Sequence, residues 1–326
     1  MKKEHFFVTG ALGCLGAWIV KNLVQERVQV TVFDLGTDTH RLKLIMDAPG
    51  IAQVTFVQGD ITNREAVIRA VQQSGATRII HLAGLQVPAC KANPTLGARV
   101  NVVGTVNVFE AAKETGIKQV TYASSVAVYG PPTDYAETLV SHNAPLRPRS
   151  LYGVYKQANE NTAKIYWQDE GIAAIGLRPY IVYGPARDQG MTSAPTKAMM
   201  AAAAGQPYHI PYGGTAGYQL ADDVARTFIQ AARTPFEGAD AFNIKGAVVH
   251  MSEIVAAIEQ AEPSARGRIT FDDTSLPFPA GQDDAALKQV LGSVPDTSLA
   301  EGVAFTVNHF KKALQRGQIN PKEMTR

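Results

Sequence analysis

Tyr152 and Lys156 are the two side chains in this sequence whose types and spacing most directly predict chemistry. A spacing of four residues places both on one face of a helix, so the phenol and the ammonium are neighbours. A phenol has a pKa near 10 and is a poor base at neutral pH, but a nearby ammonium lowers that pKa by about 1–3 units. The phenol can then take a proton from a substrate hydroxyl while a hydride leaves the same carbon.

Ser124 and Ser125 follow a predicted strand upstream of that helix. The Ser125 hydroxyl is able to hydrogen-bond the reacting oxygen and hold it against the phenol. We therefore predict that Ser125, Tyr152 and Lys156 are the catalytic residues. Tyr155 lies on another face of the helix and is predicted to pack or to contact substrate.

Residues 9–16, with the sequence TGALGCLG, follow the first predicted strand and begin the first predicted helix. In such a turn the first glycine allows a tight bend, and the second lets backbone N–H groups approach a pyrophosphate. The third glycine lets the helix pack close to the strand. The positive end of the helix dipole faces the same place. The turn therefore predicts a dinucleotide site that includes Gly10, Leu12, Gly13, Cys14, Leu15 and Gly16.

Asp34 ends the second predicted strand, 18 residues after Gly16. A carboxylate at that spacing binds ribose hydroxyls and repels a 2′-phosphate, so we predict NAD rather than NADP. The alternative for Asp34 is a loop carboxylate that caps a turn. Asp60 ends the third strand, where it suits the adenine amino group or caps the next helix. His81 is predicted to pack in the fourth strand, and the small apolar turn beside the cofactor is predicted at Leu82, Ala83 and Gly84.

The elements that must position these residues alternate along the first two-thirds of the chain. Strands are predicted at residues 5–9, 28–33, 53–57, 78–81, 119–123 and 172–177. Helices are predicted at residues 13–25, 39–47, 63–73, 96–115 and 152–170. This alternation predicts a parallel sheet covered on both faces, and right-handed crossovers make it doubly wound. Beyond residue 178 we predict helices at 196–204 and 222–232, a strand at 242–244 that returns to the sheet, and a smaller, irregular lobe.

The composition excludes several classes of protein. The 326 residues include 31 basic and 29 acidic side chains, and the resulting charge of +2 is too small to predict nucleic acid as a partner. Cys14 and Cys90 are the two cysteines, and we predict free thiols in a reducing cytoplasm. No apolar run reaches the roughly 20 residues that a membrane helix needs, so no membrane association is predicted. No metal site is predicted either.

Together these segments resemble the extended short-chain dehydrogenase/reductases, and among them the NAD-dependent epimerase/dehydratase family. Further matching segments are residues 59–60, 81–84, 101–105 (NVVGT), 124–130 (SSVAVYG), 178–185 (RPYIVYGP) and 222–225 (DDVA). The resemblance implies that Tyr152 is the acid/base, that Lys156 binds the nicotinamide ribose, and that Ser125 is the catalytic Ser/Thr of the family. It also implies cofactor contacts at Ile61, Asn101, Ser124 and Pro179.

The same resemblance implies a Rossmann-type, doubly wound α/β fold with a smaller C-terminal substrate-binding lobe. Residues 1–183 are expected to form the NAD-binding domain, to which residues 219–245 return. Residues 184–218 and 246–326 are expected to form the smaller lobe. The resemblance further implies a homodimer, joined by a four-helix bundle of helices 96–115 and 152–170.

Departures from the family pattern predict the kind of substrate. Dehydratases place Asp and Glu after the catalytic hydroxyl residue, where residues 126–127 are Val-Ala, which argues against sugar dehydration. Nucleotide-sugar enzymes usually carry Asn at the position of Ile181, Arg near residues 216–217 and a later Arg near residues 276–281, and all three are missing. We therefore predict a small sugar, sugar acid or similar polyol without a nucleotide. Its predicted contacts are Ser125, Tyr180, Arg187, Ser193 and Tyr212.

Three functions remain open at this point. A dehydrogenase would oxidise a secondary alcohol and release NADH, and we favour it slightly because the contacts to a diphosphate are missing. An epimerase would oxidise the alcohol and return the hydride to the other face. A regulatory protein would sense NAD without catalysis. Arg187 is interpreted either as the partner of a substrate carboxylate or as a solvated loop charge.

Overall fold

The structure is a computed structural model that describes residues 3–319. Its strands are β1 (His5–Thr9), β2 (Gln29–Asp34), β3 (Thr55–Gln58), β4 (Arg78–His81), β5 (Gln119–Ala123), β6 (Leu139–Val140), β7 (Ala173–Arg178), β8 (Ile181–Tyr183), β9 (Tyr208–Ile210), β10 (Thr215–Leu220), β11 (Ala239–Asn243), β12 (Ala247–His250), β13 (Ile269–Phe271) and β14 (Gly281–Gln282). Its α-helices are α1 (Cys14–Gln25), α2 (His40–Ile45), α3 (Ala48–Ile51), α4 (Arg64–Ser74), α5 (Val87–Ala92), α6 (Pro94–Ala98), α7 (Gly104–Thr115), α8 (Leu151–Glu170), α9 (Ala194–Ala203), α10 (Ala221–Arg233), α11 (Met251–Ala261), α12 (Ala285–Leu291) and α13 (Leu299–Gln315).

Seven strands form the main sheet in the order β11-β7-β5-β4-β1-β2-β3, and every pair is parallel. The predicted Rossmann-type, doubly wound sheet is thereby confirmed. All six residues of β7 are buried, as expected for a strand that helices cover on both faces. The predicted returning strand is β11, which pairs with β7 at the edge of the sheet.

Two apolar layers enclose the main sheet. On one side α1 packs against α10, and their buried members include Trp18 and Phe228. On the other side α4 and α7 pack together, and Phe109 stacks on Tyr166 of α8 with ring centroids 4.9 Å apart. Because all seven strands are parallel, their carboxyl ends lie at one edge of the sheet, between the two helical layers. Ligands of such sheets bind at that edge.

The smaller lobe covers that edge. Its largest sheet has the order β12-β10-β8, with β10 parallel to β8 and antiparallel to β12. Helices α9, α11 and α13 pack around a second core that includes Met199, Ile254 and Val307. Residues 1–2 and 320–326 of the expected domain ranges lie outside the described residues. Within residues 3–319, no helix combines the length and the hydropathy needed to cross a membrane.

Several predicted elements differ in detail from the structure. The predicted helix 39–47 is the shorter α2, which ends at Ile45, and Asp47 caps a separate helix, α3, by accepting the Gly50 N–H at 2.9 Å. The predicted helix 96–115 starts earlier, at Pro94, and contains a π-helical stretch at Arg99–Val103 before α7. The lobe predicted to be irregular contains α11 and α13, each of which begins with a capping box.

Candidate active site

A cavity of about 450 Å³ lies between the carboxyl edge of the main sheet and the smaller lobe. Its lining runs from the glycine turn after β1, past the turns after β4 and β5, to the start of α8. The loop after β8 and Phe278 close the other end. A long cavity with this position is the expected place for a dinucleotide and a second, smaller ligand.

The glycine turn forms a cradle in which the backbone leaves no room for a side chain at two positions. Gly10 has φ +66°, and a Cβ added there would stand 2.5 Å from the Ala83 nitrogen. A Cβ on Gly16 would stand 2.4 Å from the Ala11 Cα. Gly13 precedes the first turn of α1, and no side chain caps that end of the helix. The N–H groups at the start of α1 are therefore available to an anion such as a pyrophosphate.

Two carboxylates line the end of the cavity beyond the cradle. Asp34 accepts the Leu12 N–H through Oδ2 at 3.0 Å and the Gly36 N–H through Oδ1 at 3.1 Å. Asp60 accepts the Thr62 N–H at 2.8 Å. The Asp34 carboxylate therefore fixes the turn and also lines the cavity, and its contact with ribose hydroxyls stays a prediction. The cradle and these two carboxylates fit the diphosphate, ribose and adenine of a dinucleotide.

Ser125, Tyr152 and Lys156 all line the cavity. Ser125 follows β5, and its Oγ accepts the Ala127 N–H at 3.1 Å. Tyr152 lies in the first turn of α8, which Ser150 caps by accepting the Gly153 N–H at 3.1 Å. Lys156 Nζ donates to the Ala123 carbonyl at 2.7 Å and lies 5.7 Å from the centroid of the Tyr152 ring.

The electrostatics of this group are dominated by burial. Burial raises the pKa of Tyr152 above its ordinary value, and the Ser125 hydroxyl and the Arg187 charge offset only part of that rise. Lys156 donates to a backbone carbonyl, and burial lowers the pKa of Lys156 to about 8. That its ammonium lowers the pKa of the phenol stays a prediction. Ser125 and Arg187 both favour the phenolate.

A buried ion pair joins two of the elements that surround the site. Arg178, at the end of β7, donates to Glu160 of α8 through Nε and NH2, both at 2.8 Å. Glu160 also accepts the Ser124 hydroxyl at 2.5 Å, and Arg178 donates to the Tyr129 hydroxyl at 2.6 Å. Sequence reasoning missed Glu160, although it follows Lys156 by four residues on the same helix face. The pair fixes α8 against β7, and the Ser124 hydroxyl links Glu160 to the segment after β5 that carries Ser125.

Most of the residues predicted for the site line the cavity. They are Gly10, Gly13, Cys14, Leu15, Gly16, Asp34, Asp60, Ile61, Leu82, Ala83, Gly84, Ser124, Ser125, Tyr152, Lys156, Pro179, Tyr180 and Arg187.

Four predicted residues do not line the cavity. The Leu12 side chain is buried in the core, and its N–H orients Asp34. The Asn101 amide is buried behind Gly84 and donates to the Gly97 carbonyl at 3.0 Å. The Ser193 hydroxyl donates to the Gly190 carbonyl at 2.8 Å, and Tyr212 is buried in the smaller lobe.

Other residues at the reacting end were not predicted as site residues. They are Gln86, Val87, Pro88, Met191 and Phe278. The first three follow the predicted apolar turn after β4, and their position next to that turn could have identified them as site residues. His81 is buried, as predicted, and hydrogen-bonds Thr9 at 2.7 Å and Thr105 at 3.1 Å. Burial lowers the pKa of His81 to about 3, so it packs as a neutral ring.

Comparison with known proteins identifies the family. The NAD dependent epimerase/dehydratase family matches residues 6–244. The chain is 30% identical to the UDP-glucose 4-epimerase of Mycolicibacterium smegmatis over 319 residues, which cover 94% of this chain and 99% of that protein.

Solved structures with the same fold include epimerases and dehydrogenases. The Thermus thermophilus UDP-glucose 4-epimerase, in complex with NAD, is 26% identical with a TM-score of 0.79 and covers 95% of this chain and 99% of its own. The L-threonine dehydrogenase of Clostridium difficile is 19% identical with a TM-score of 0.83 and covers 98% of this chain and 100% of its own.

The cofactor and the kind of enzyme follow from the cradle, the Asp34 carboxylate and these matches. The cofactor is NAD, which the residues present fit, and the protein is an enzyme of the extended short-chain dehydrogenase/reductase kind. The chain belongs to the NAD-dependent epimerase/dehydratase family.

Proposed function

We propose that this protein is a dehydrogenase that acts on a secondary hydroxyl of a small polar substrate without a nucleotide. The observation that carries the proposal is the position of Ser125, Tyr152 and Lys156 in one cavity with the glycine cradle. With the cofactor in the glycine cradle, the other end of the cavity is free for the substrate. That end lies between the smaller lobe on one side and Ser125 with Tyr152 on the other.

The chemistry assigned to the chain is a proton transfer. When bound, NAD supplies the hydride acceptor. Ser125 and Tyr152 hold the substrate hydroxyl between them, and Tyr152, in its phenolate form, takes the hydroxyl proton and becomes the neutral phenol. Lys156, fixed by the Ala123 carbonyl, presents its ammonium beside the tyrosine ring, where it holds the ribose and orients the phenol. Phe278, Met191 and Pro88 surround this end with apolar surface and exclude water from it.

The lining of the cavity supports a substrate without a diphosphate. Its charged members among the described residues are Asp34, Asp60, Lys156 and Arg187. The two carboxylates lie at the cofactor end, and Lys156 is assigned to the ribose, which leaves one guanidinium for a substrate. A diphosphate that enters a partly apolar cavity needs several charge-assisted hydrogen bonds. Arg187 alone therefore favours a substrate with less charge.

An epimerase is the second candidate, because the 30% identical relative is named a UDP-glucose 4-epimerase. Both reactions use the same residues for the first step, so the experiment must follow the fate of the reduced cofactor. The protein is incubated with NAD and a panel of free sugars, sugar acids and UDP-sugars while NADH fluorescence is recorded. NADH that accumulates over many turnovers supports the dehydrogenase. A single stoichiometric rise with continued isomer formation, detected by chromatography, overturns it in favour of the epimerase.

A Tyr152→Phe variant tests whether the site is catalytic at all. It should bind NAD with the affinity of the wild type and lose at least about 100-fold in turnover, because the proton acceptor is gone. Tyr155→Phe is the matched control, since the Tyr155 hydroxyl donates to the Pro94 carbonyl outside the cavity. Turnover that survives in Tyr152→Phe contradicts the mechanism. NAD binding by a wild-type protein that turns over no member of the panel supports the regulatory alternative.

We further propose that two copies of the chain associate through α6, α7 and α8. Leu151, Val154 and Ile165 are exposed at spacings of three and eleven residues, which place them on one face of α8. Leu96 and Val103 are exposed seven residues apart on the neighbouring helical segment. Two such faces would form a four-helix bundle. Sedimentation should show a dimer that Val154→Glu dissociates, and a monomeric wild type contradicts the proposal.

A further inference from the structure

Arg187 is a charged side chain at the reacting end of the cavity without a carboxylate partner among the described residues. Its NH2 donates to the Thr192 hydroxyl at 3.0 Å. Its Nε is buried and has no acceptor within the described part of the chain. Because a buried guanidinium N–H is costly to leave unpaired, this atom indicates a missing acceptor in the cavity.

The residue after Arg187 is an aspartate that pairs with other side chains. Asp188 would be the nearest partner for Arg187 in sequence, but it accepts instead from Arg41 Nε at 2.8 Å. Its other oxygen pairs with His40 Nε2 at 2.8 Å. Arg41 also donates to the Leu12 carbonyl at 3.0 Å, which ties the loop to the glycine turn. The carboxylate is thus held against α2, while the guanidinium remains in the cavity.

The backbone at this point is strained in a way that sets the direction of Arg187. Ala186 has φ +72°, a left-handed conformation that non-glycine residues rarely adopt, and it is buried. The Arg187 N–H closes the turn by donating to the Gly184 carbonyl at 3.1 Å. Strain of this kind concentrates at functional sites, where the position of a neighbouring side chain matters.

The surroundings of Arg187 favour binding of an anion. Arg187 and Tyr152 line the same cavity, and the guanidinium charge acts to lower the pKa of the phenol. Val87, Pro88 and Phe278 line the same end of the cavity, and apolar walls strengthen a charge-assisted hydrogen bond.

We propose that Arg187 binds a carboxylate of the substrate, so that the enzyme acts on a small hydroxy acid whose hydroxyl lies between Ser125 and Tyr152. This inference rests on the proposed function. A guanidinium presents parallel N–H donors that match the two oxygens of a carboxylate. A phosphate dianion is less well matched, because the other cation of this end, Lys156, is proposed to hold the nicotinamide ribose, which leaves one guanidinium for two negative charges.

The test measures binding apart from turnover. The NADH-loaded protein is titrated calorimetrically with acid and alcohol pairs of matched carbon skeleton: glycerate with glycerol, gluconate with sorbitol, and galacturonate with galactose. At least one acid should bind about 10- to 100-fold more tightly than its alcohol, the range expected for a charge-assisted pair. Arg187→Gln should remove that preference, and Arg187→Lys should restore part of it. NADH binding shows that each variant is folded.

Arg69→Gln is the matched control, because Arg69 is exposed on α4, far from the cavity lining, and should leave the preference unchanged. Acid-selective binding without any NAD reduction would leave the carboxylate site standing and overturn the dehydrogenase. Turnover of neutral polyols with no acid preference would overturn the carboxylate site and leave the dehydrogenase standing. No acid-selective binding across the panel, tighter binding of glycerol 3-phosphate than of every acid, or a preference that survives in Arg187→Gln also overturns the carboxylate site.

Discussion

Replacing Lys156 by Met should make the protein more stable near neutral pH while abolishing turnover. The Lys156 ammonium is buried, and burial lowers its pKa from 10.5 to about 8. The folded state therefore holds a charge in a place that disfavours it. Methionine has a similar length and needs no hydration, so the variant is relieved of this cost.

The magnitude follows from the displacement of the pKa. A shift of roughly 2.5 units corresponds to about 3 kcal/mol of unfolding free energy at pH 7. The variant also loses the hydrogen bond to the Ala123 carbonyl, which is worth about 1 kcal/mol. Lys156→Met should therefore gain about 2 kcal/mol at pH 7. The gain opposes function, since the same ammonium is proposed to hold the ribose.

The difference in unfolding free energy between Lys156→Met and the wild type should change with pH. Below pH 8 both folded and unfolded chains carry the proton on Lys156, and the cost is complete. Between pH 8 and 10.5 the unfolded chain holds more protons than the folded one, so the free energy of unfolding of the wild type rises with pH. The advantage of the variant should therefore shrink across this window and disappear near pH 10, where the remaining cost of the charge equals the roughly 1 kcal/mol of the lost hydrogen bond.

Urea unfolding of the NAD-free protein at a series of pH values measures the difference between wild type and Lys156→Met. Lys164→Met is the matched control, because Lys164 is exposed on the same helix. Its difference from the wild type should stay small and flat. A Lys156→Met variant that is less stable than the wild type at pH 7, or a difference that does not change between pH 8 and 10, would refute the reasoning.

Two further predictions concern the cofactor end and the support of the site. Asp34→Ser should weaken NADH binding about tenfold and NADPH binding less, because the carboxylate that accepts ribose hydroxyls and repels a 2′-phosphate is lost. Fluorescence titration with both nucleotides measures this, and an unchanged ratio of the two affinities contradicts the role of Asp34. Glu160→Gln should cost about 3–5 kcal/mol of unfolding free energy, because it leaves the Arg178 charge buried without a counterion. Glu110→Gln, in a half-exposed pair, should cost about 1 kcal/mol or less in the same urea experiment, and equal losses contradict the claim.

Much of the fold was predictable because its signals are local. The strands β1 and β4 and the helix α8 are within one residue of their predicted bounds, since each is a continuous pattern between turn residues. The signal at 39–47 was weaker. Its last residue, Asp47, caps the next helix, and a cap at the end of a short helical pattern is hard to separate from the continuation of that helix. The capping box at the start of α13, Ser298 with Glu301, matches the usual sequence signature, whereas the one at α11 begins with His250, which that signature does not include.

The candidate site was predictable where the chain itself brings residues together. Gly10 to Gly16 share one turn, and Tyr152 and Lys156 share one helix face, so short spacings define them. Leu12 and Asn101 belong to the same segments, but their side chains face the core and the back of Gly84. Periodicity does not distinguish a side chain that lines a cavity from one that packs directly behind it.

The sequence by itself therefore determined the parallel sheet, the glycine cradle, the acidic strand end and the tyrosine–lysine pair, because each depends on residues close together in the chain. Only the tertiary structure decided which partner each charged side chain of the site has. It turned Lys156 toward a carbonyl, paired Glu160 with Arg178, and held Asp188 away from the cavity so that Arg187 remains there. Those choices depend on partners far apart in sequence and on burial, neither of which local spacing encodes.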